Sequence, residues 1–138
     1  MADVSFTAAS VIKGANAITL EGTSGETVTA GLFVYLKAAD SRYWIADTAT
    51  SAATAACVGI ALNAASAGQA ITIQTAGDVT VDNLSLAAAD CNYILSAAGK
   101  CAPAADLAAD DYVTNIGAAL STTSLRLAIS ATNVQATA

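Results

Sequence analysis

The chain contains no histidine. That removes the side chain most often used as general base or metal ligand near neutral pH, and with it any serine–histidine–aspartate arrangement. Cations are almost as scarce. Lys13, Lys37, Arg42, Lys100 and Arg126 are the whole supply, set against eleven acidic residues, and the net charge is −6. A nucleic-acid-binding face needs clustered lysine and arginine to neutralise phosphates. Five scattered cations do not make one, so no nucleic-acid partner is expected, and anionic membrane surfaces are disfavoured for the same reason. No run of 18 apolar residues occurs, so no transmembrane helix is expected. The opening "MADVSFTAAS" lacks the basic start and long apolar run of a secretory signal, which leaves folding in a cytoplasm as the expectation.

Cysteine occurs three times, at Cys57, Cys91 and Cys101. An odd number without an export signal argues against a disulfide framework. Cys91 and Cys101 flank a predicted hairpin that would let them approach each other, but the favoured reading is reduced, buried thiols acting as small apolar residues. There is no CxxC pair or zinc-like spacing, and a cysteine nucleophile would lack an imidazole. Neither GxGxxG nor GxxxxGK[ST] is present, since Gly99-Lys100 lacks the upstream glycine. Asp78 and Asp82 flank "VTV", and Asp106, Asp110 and Asp111 cluster. Paired carboxylates can hydrolyse glycosides when held at the right separation, but without aromatic platforms or basic clamps these read as solvated loops. No oxygen-rich DxDxDG-type calcium loop occurs, and Asn83-Leu84-Ser85 is an idle glycosylation match without export. The expectation is a protein that is not an enzyme and takes no cofactor or metal.

Alanine is what the chain has in abundance: 36 of 138 residues. Leu, Ile, Val and Phe together number 31, an ordinary supply of larger core side chains. This reads as one lightly packed domain, residues 1–138, that leans on a partner or an oligomer.

Period-two alternation recurs in "VSF", "AITLEG", "LFVYLKA", "RYWIAD", "AITIQTAG", "VTVDNLSL" and "SLRLAISA". Gly, Ser, Asn and Asp punctuate these pieces, as strands and turns require. The pattern predicts an all-β fold, a small sandwich or barrel, with short Ala-rich loops or a short helix. Residues 48–56, "TATSAATAA", read as a surface loop, and 104–112, "AADLAADDY", as a short helix entered after Pro103.

The chain also repeats itself. "CVGIAL" at 57–62 returns as "NIGAAL" at 115–120. Tyr35 and Tyr93, Gly59 and Gly117, and Leu62 and Leu120 are each 58 residues apart, and Arg42 falls on Lys100 at the same offset. After Leu62 the second copy drops two residues, so Ile71 matches Leu127 and Ile73 matches Ile129. An internal duplication, about 28–76 against about 86–132, is the reading. Two copies with one apolar face each would bury both by packing together. The repeated glycine marks a strand position where another backbone comes close.

Aromatic residues number seven. Tyr43 and Trp44 are adjacent in a predicted strand, so their side chains point to opposite faces and one of them is exposed or at an interface.

The run "VTAGLFVYLKAADSRYWIADT", followed by "ACVGIALNAASAGQAITIQTAGDV", resembles the small capsid decoration (cement) proteins of bacteriophages. The likeness rests on Thr29-Ala30-Gly31, Val34-Tyr35-Leu36, Gly59-Ile60-Ala61-Leu62, Gly68 and Gly77, about the central third of the chain; in the second copy Ala89 replaces the glycine of the first "TAG". It implies a β-rich structural virion protein, made in the host cytoplasm, that binds the outside of the capsid. As a homotrimer it would bridge major capsid protein subunits and brace the expanded shell, each modest contact multiplied by many copies. The N-terminal arm, about 1–12, places Val4 and Phe6 on one side of an extended segment that would add to a capsid subunit or protomer. The interface residues expected are Val4, Phe6, Tyr43 and Trp44. The alternative function is a receptor- or glycan-binding β module of a tail fibre or adhesin, working through Tyr43 or Trp44.

Overall fold

A computed structural model describes residues 11–81, 92–95, 99–103, 111–121 and 124–135. Val4, Phe6, Cys91, the acidic residues Asp82, Asp106 and Asp110 and residues 104–110 of the helix expected over 104–112 lie outside the described residues; at the end of that segment Asp111 is not helical and Tyr112 begins a strand. The fold is all-β, a single sheet curled into a half-barrel. In chain order the strands are β1 (Val11–Lys13), β2 (Ile18–Thr23), β3 (Phe33–Lys37), β4 (Arg42–Ile45), β5 (Gly59–Ala61), β6 (Ala70–Val81), β7 (Asn92–Leu95), β8 (Cys101–Pro103), β9 (Tyr112–Ala119) and β10 (Ser124–Gln135). One four-residue helix, α1 (Ala52–Ala55), precedes β5.

β6 is the organising element. Ile73 pairs with Leu20 of β2 and with Ala61 of β5, so those two strands take opposite edges of β6. Ala76 pairs with Ile18 of β2 and with Ala128 of β10, so β10 also lies opposite β2. One edge of β6 is therefore lined by β1 and β2, and the other divides between β5 and β10. The sheet forks there, into a branch β5-β3-β4 and a branch β10-β9-β7-β8. A register shift between Ile18 and Thr19, opposite Thr75, marks the bend in β6. The sequence divides this strand into "AITIQTAG" and "VTVDNLSL". The structure runs it unbroken through Gly77, whose φ of 89° is open to glycine and costly to other residues.

The alternation of β3 and β5 serves two cores. Phe33 and Ile60 face one side, Val34 and Ala61 the other. Val28, Val34, Ala61, Ala65, Ile71 and Ile73 fill the interior of the first branch, with Leu20, Tyr43 and Ile45 against them. That branch nearly closes on itself, because Ser24 bridges to Tyr43 of β4. Phe33, Ala46, Cys57 and Ile60 meet Val79, Leu95, Cys101, Ile116, Leu125 and Leu127 in the second core, which fills the angle between the branches. Each buried Leu, Ile or Phe contributes roughly 1.5–3 kcal/mol relative to exposure. The apolar faces of the two branches thus meet by curling of one forked sheet.

The strand order β4-β3-β5-β6-β10-β9-β7-β8 reads the same from both ends when β3–β6 are exchanged for β7–β10. The ladders refine the equivalences read from sequence. Val34 stands opposite Gly59, and Tyr93 opposite Gly117, so Tyr93 holds the place of Val34 and not of Tyr35. Ile73 stands opposite Ala61, and Leu125 opposite Ala119, so Leu125 and not Ile129 answers to Ile73. The difference arises in the hairpin loops. Eleven residues separate Ala61 from Ile73, but only five separate Ala119 from Leu125.

The segment 48–56, expected as a loop, carries α1. Ser51 caps it reciprocally with Thr54: the Ser51 hydroxyl accepts from the Thr54 N–H at 3.2 Å, and the Thr54 hydroxyl accepts from the Ser51 N–H at 3.1 Å. Alanine's high helix propensity does the rest, and Ala55 is buried. The sequence signal was present in "SAAT", hidden by the low complexity around it.

Candidate interaction surfaces

The adjacent aromatics of β4 do divide between two faces. Tyr43 packs against the interior of the first branch, over Gly22, where a β-carbon would overlap the phenol ring. Trp44 is half-buried on the other face. Its indole N–H donates to Asp40 Oδ2 at 3.1 Å, the Lys37 ammonium sits 4.4 Å from its ring centroid, and Gly25 presses against its pyrrole part. Both aromatics are therefore engaged within the chain. Of the expected interface residues, the structure describes only these two.

Trp44 shares its face with three other side chains that carry polar groups. Cross-strand partners lie on one face, and residues two apart on a strand lie on the same face. The pairs Tyr35–Trp44 and Lys37–Arg42 therefore stand on one surface of the β3–β4 hairpin. Burial raises the Tyr35 hydroxyl above its usual pKa, and the carboxylates of Glu26, Asp40 and Asp47 add to the effect. These carboxylates are tied down locally. Glu26 accepts from the Ile45 N–H at 2.9 Å, Asp40 from the Arg42 N–H at 3.0 Å, and Asp47 from the Ala49 N–H at 2.9 Å and the Thr50 hydroxyl at 2.7 Å. Sequence reading singled out Trp44 but missed Lys37 and Arg42 beside it, because the register that sets them opposite each other depends on a four-residue turn through Ser41 (φ 55°).

A second surface is the outer face of β6 and β10. Ile12, Thr80 and Ser124 form one cross-strand row; Asp78, Arg126 and Ala118 form the next; Ile18, Ala76 and Ala128 form a third. Ile12 is 57% exposed and Ile18 61%. The middle row holds an ion pair, Arg126 Nε to Asp78 Oδ1 at 2.9 Å. The hydrogen bonds from Arg126 hold the Asp78 carboxyl below its ordinary pKa.

A cavity of about 140 Å³ lies between Thr27–Thr29 and Ala64–Gln69. It is smaller than the 300–1,000 Å³ typical of ligand sites. Among the described residues no group of three or more His, Cys, Asp or Glu side chains is placed to hold a metal ion, and no helix is long and apolar enough to cross a membrane.

The repeated glycines have a structural role in common. A β-carbon on Gly59 would overlap the Gln74 carbonyl, and one on Gly117 would overlap the Arg126 carbonyl. In each branch the strand carrying the repeat lies too close to its neighbour for any side chain. No protein-family model matches the chain, and no curated protein matches it.

Proposed function

We propose that this protein is a structural component of a bacteriophage virion, one that binds the outside of the capsid, as a homotrimer, and bridges major capsid subunits. The carrying observation is that most of the residues resembling decoration proteins serve the scaffold, with Thr29 and Leu36 exposed at the surface. Val34 and Ile60 are core, Gly59 permits close strand approach, and Gly31, Gly68 and Gly77 hold positive-φ positions at 93°, 84° and 89°. A motif spent on shaping one β branch suits a protein that works by its surface. On the outer face, Ile12 and Ile18, in the rows on either side of the Asp78–Arg126 pair, supply apolar area for such contact.

The glycan-binding alternative draws less support, since the Trp44 ring it relies on is occupied by Gly25, Lys37 and Asp40. The test is co-sedimentation of the purified protein with capsids that lack it, counting bound copies per major capsid subunit. Saturable binding at a fixed ratio, with greater heat resistance of the shell, is the expected result. Absence of binding overturns the proposal. Deleting residues 1–8 should weaken the binding; if it does not, the arm has no part in docking.

A further inference from the structure

The geometry points to the β3–β4 hairpin as a docking site for carboxylates on the surface of a protein partner, with Lys37 and Arg42 as its two anion-binding groups. For the partner's identity, and only for that, this rests on the shell-binding reading above.

Lys37 and Arg42 are two of only five cations in a chain of net charge −6, and they stand directly opposite each other on one face. Like charges placed opposite one another destabilise a sheet. A fold that had no use for the pair would gain by separating it. Neither cation is in an ion pair: among the described residues no carboxylate lies within ion-pair distance of either, whereas Arg126 is paired with Asp78, and the carboxylates that border the hairpin, Glu26, Asp40 and Asp47, are held by the Ile45, Arg42 and Ala49 N–H groups. Arg42 is exposed. Lys37 is half-buried, and its ammonium is drawn over the Trp44 ring, which orients it without neutralising it. Trp44 is itself fixed by Asp40 and Gly25. The result is a pre-set pair of positive groups on one face of the hairpin.

The covered indole decides the class of ligand. An anionic sugar would need a recess or a bare aromatic face, and the indole here is covered. Carboxylates projecting from another protein need only charge and reach. In the second copy, Lys100 answers to Arg42, but Leu95 and Ser96 are the residues nearest the place of Lys37, so the doubled charge belongs to the first hairpin alone.

The test is an NMR titration of the whole protein at low salt with a capped tetraglutamate peptide, following backbone amides and the Trp44 indole N–H. Saturable shifts confined to residues 36–45, abolished by adding salt, are expected. The double variant Lys37→Gln with Arg42→Gln should remove them, while the charge-matched Lys13→Gln with Lys100→Gln should not. A tetraglutamine peptide should give none. Shifts spread over all five cations, or equal loss in the two double variants, overturn the inference. A sialic acid tetramer that binds as tightly as the peptide overturns the protein-partner assignment, and hairpin shifts that appear on concentrating the protein alone assign the surface to self-association instead. In the capsid co-sedimentation, Lys37→Gln with Arg42→Gln should weaken binding about tenfold, as expected for two surface charge contacts. Undiminished binding of that variant removes the hairpin as anchor and leaves shell binding standing. Failure of the wild type to bind removes the shell reading, and the peptide titration still decides the hairpin.

Discussion

Gly117 lies against the carbonyl of Arg126 so closely that no β-carbon fits between them, and its φ of 154° keeps it there. Gly117→Ala must therefore either move β10 or leave the ladder. The expected loss is about 2–3 kcal/mol, from overlap and backbone strain together. Gly68 offers the contrast. It also has a positive φ, 84°, but nothing lies within 4 Å of where its β-carbon would be. Gly68→Ala should cost only about 1 kcal/mol. Urea unfolding midpoints of the two variants, at unchanged slope, check the difference.

Burial pushes the Cys57 thiol up to about 12, from a model-compound value of 9.0. The folded protein thus holds its proton where the unfolded chain has lost it. The stability this represents is complete below pH 9 and is lost as pH rises from 9 towards 12. Tyr35, raised in the same direction, adds to the decline above pH 10. Unfolding free energies measured at pH 8.5 and 10.5 should fall in the wild type and fall less in Cys57→Ala. Site-resolved mass spectrometry after iodoacetamide at pH 8 should find Cys57 unmodified in the native protein and modified in urea.

Gln74 sits buried at the fork of the sheet, its amide donating to the Ala76 carbonyl at 3.2 Å and the Asp78 carbonyl at 2.8 Å. Its Oε1 has no hydrogen-bond partner. Gln74→Glu replaces the donor with a carboxylate facing two carbonyl oxygens. At pH 7 the variant should lose about 3–5 kcal/mol, as for an uncompensated buried charge, with part of the loss recovered near pH 4 where the carboxyl is protonated. Equal thermal midpoints for variant and wild type at pH 7 would show that the side chain leaves the core.

Arg126 holds the Asp78 carboxyl low mainly through their hydrogen bond. A folded-state value below the unfolded one contributes stability above the unfolded pKa, and that contribution disappears as pH falls through the folded pKa. Arg126→Ala should move the Asp78 titration upward when followed by carboxyl NMR shifts. An unmoved titration would mean that the pair does not persist in solution.

Much of the fold was legible because its signal is local. Alternation in "LFVYLKA" and "RYWIAD" marks β3 and β4, and the repeated "VGIAL" and "NIGAAL" mark β5 and β9. What stayed hidden depends on non-local pairing. That "AITIQTAG" and "VTV" form one strand follows from what flanks it, β2 on one side and β5 and β10 on the other. That Lys37 faces Arg42 follows from register, and a one-residue slip would have separated them. The helix at 52–55 was missed because alanine blurs the contrast between loop and helix. The shared role of Gly59 and Gly117 was anticipated as close approach, but the carbonyls they accommodate could be named only once the neighbouring strands were in place.

β6 also governs how the chain can reach its final form. Its partners come from far along the sequence on both sides: Ile12 from 68 residues before Thr80, Ser124 from 44 residues after it. Neither branch contains a complete set of neighbours for this strand, so the first branch cannot finish while the second is still being made. Ribosomal synthesis must deliver β10 before β6 is fully paired. Until then part of one of its edges stands open, and folding should complete only once β10 is available, on the millisecond-to-second scale of sheets built from distant segments.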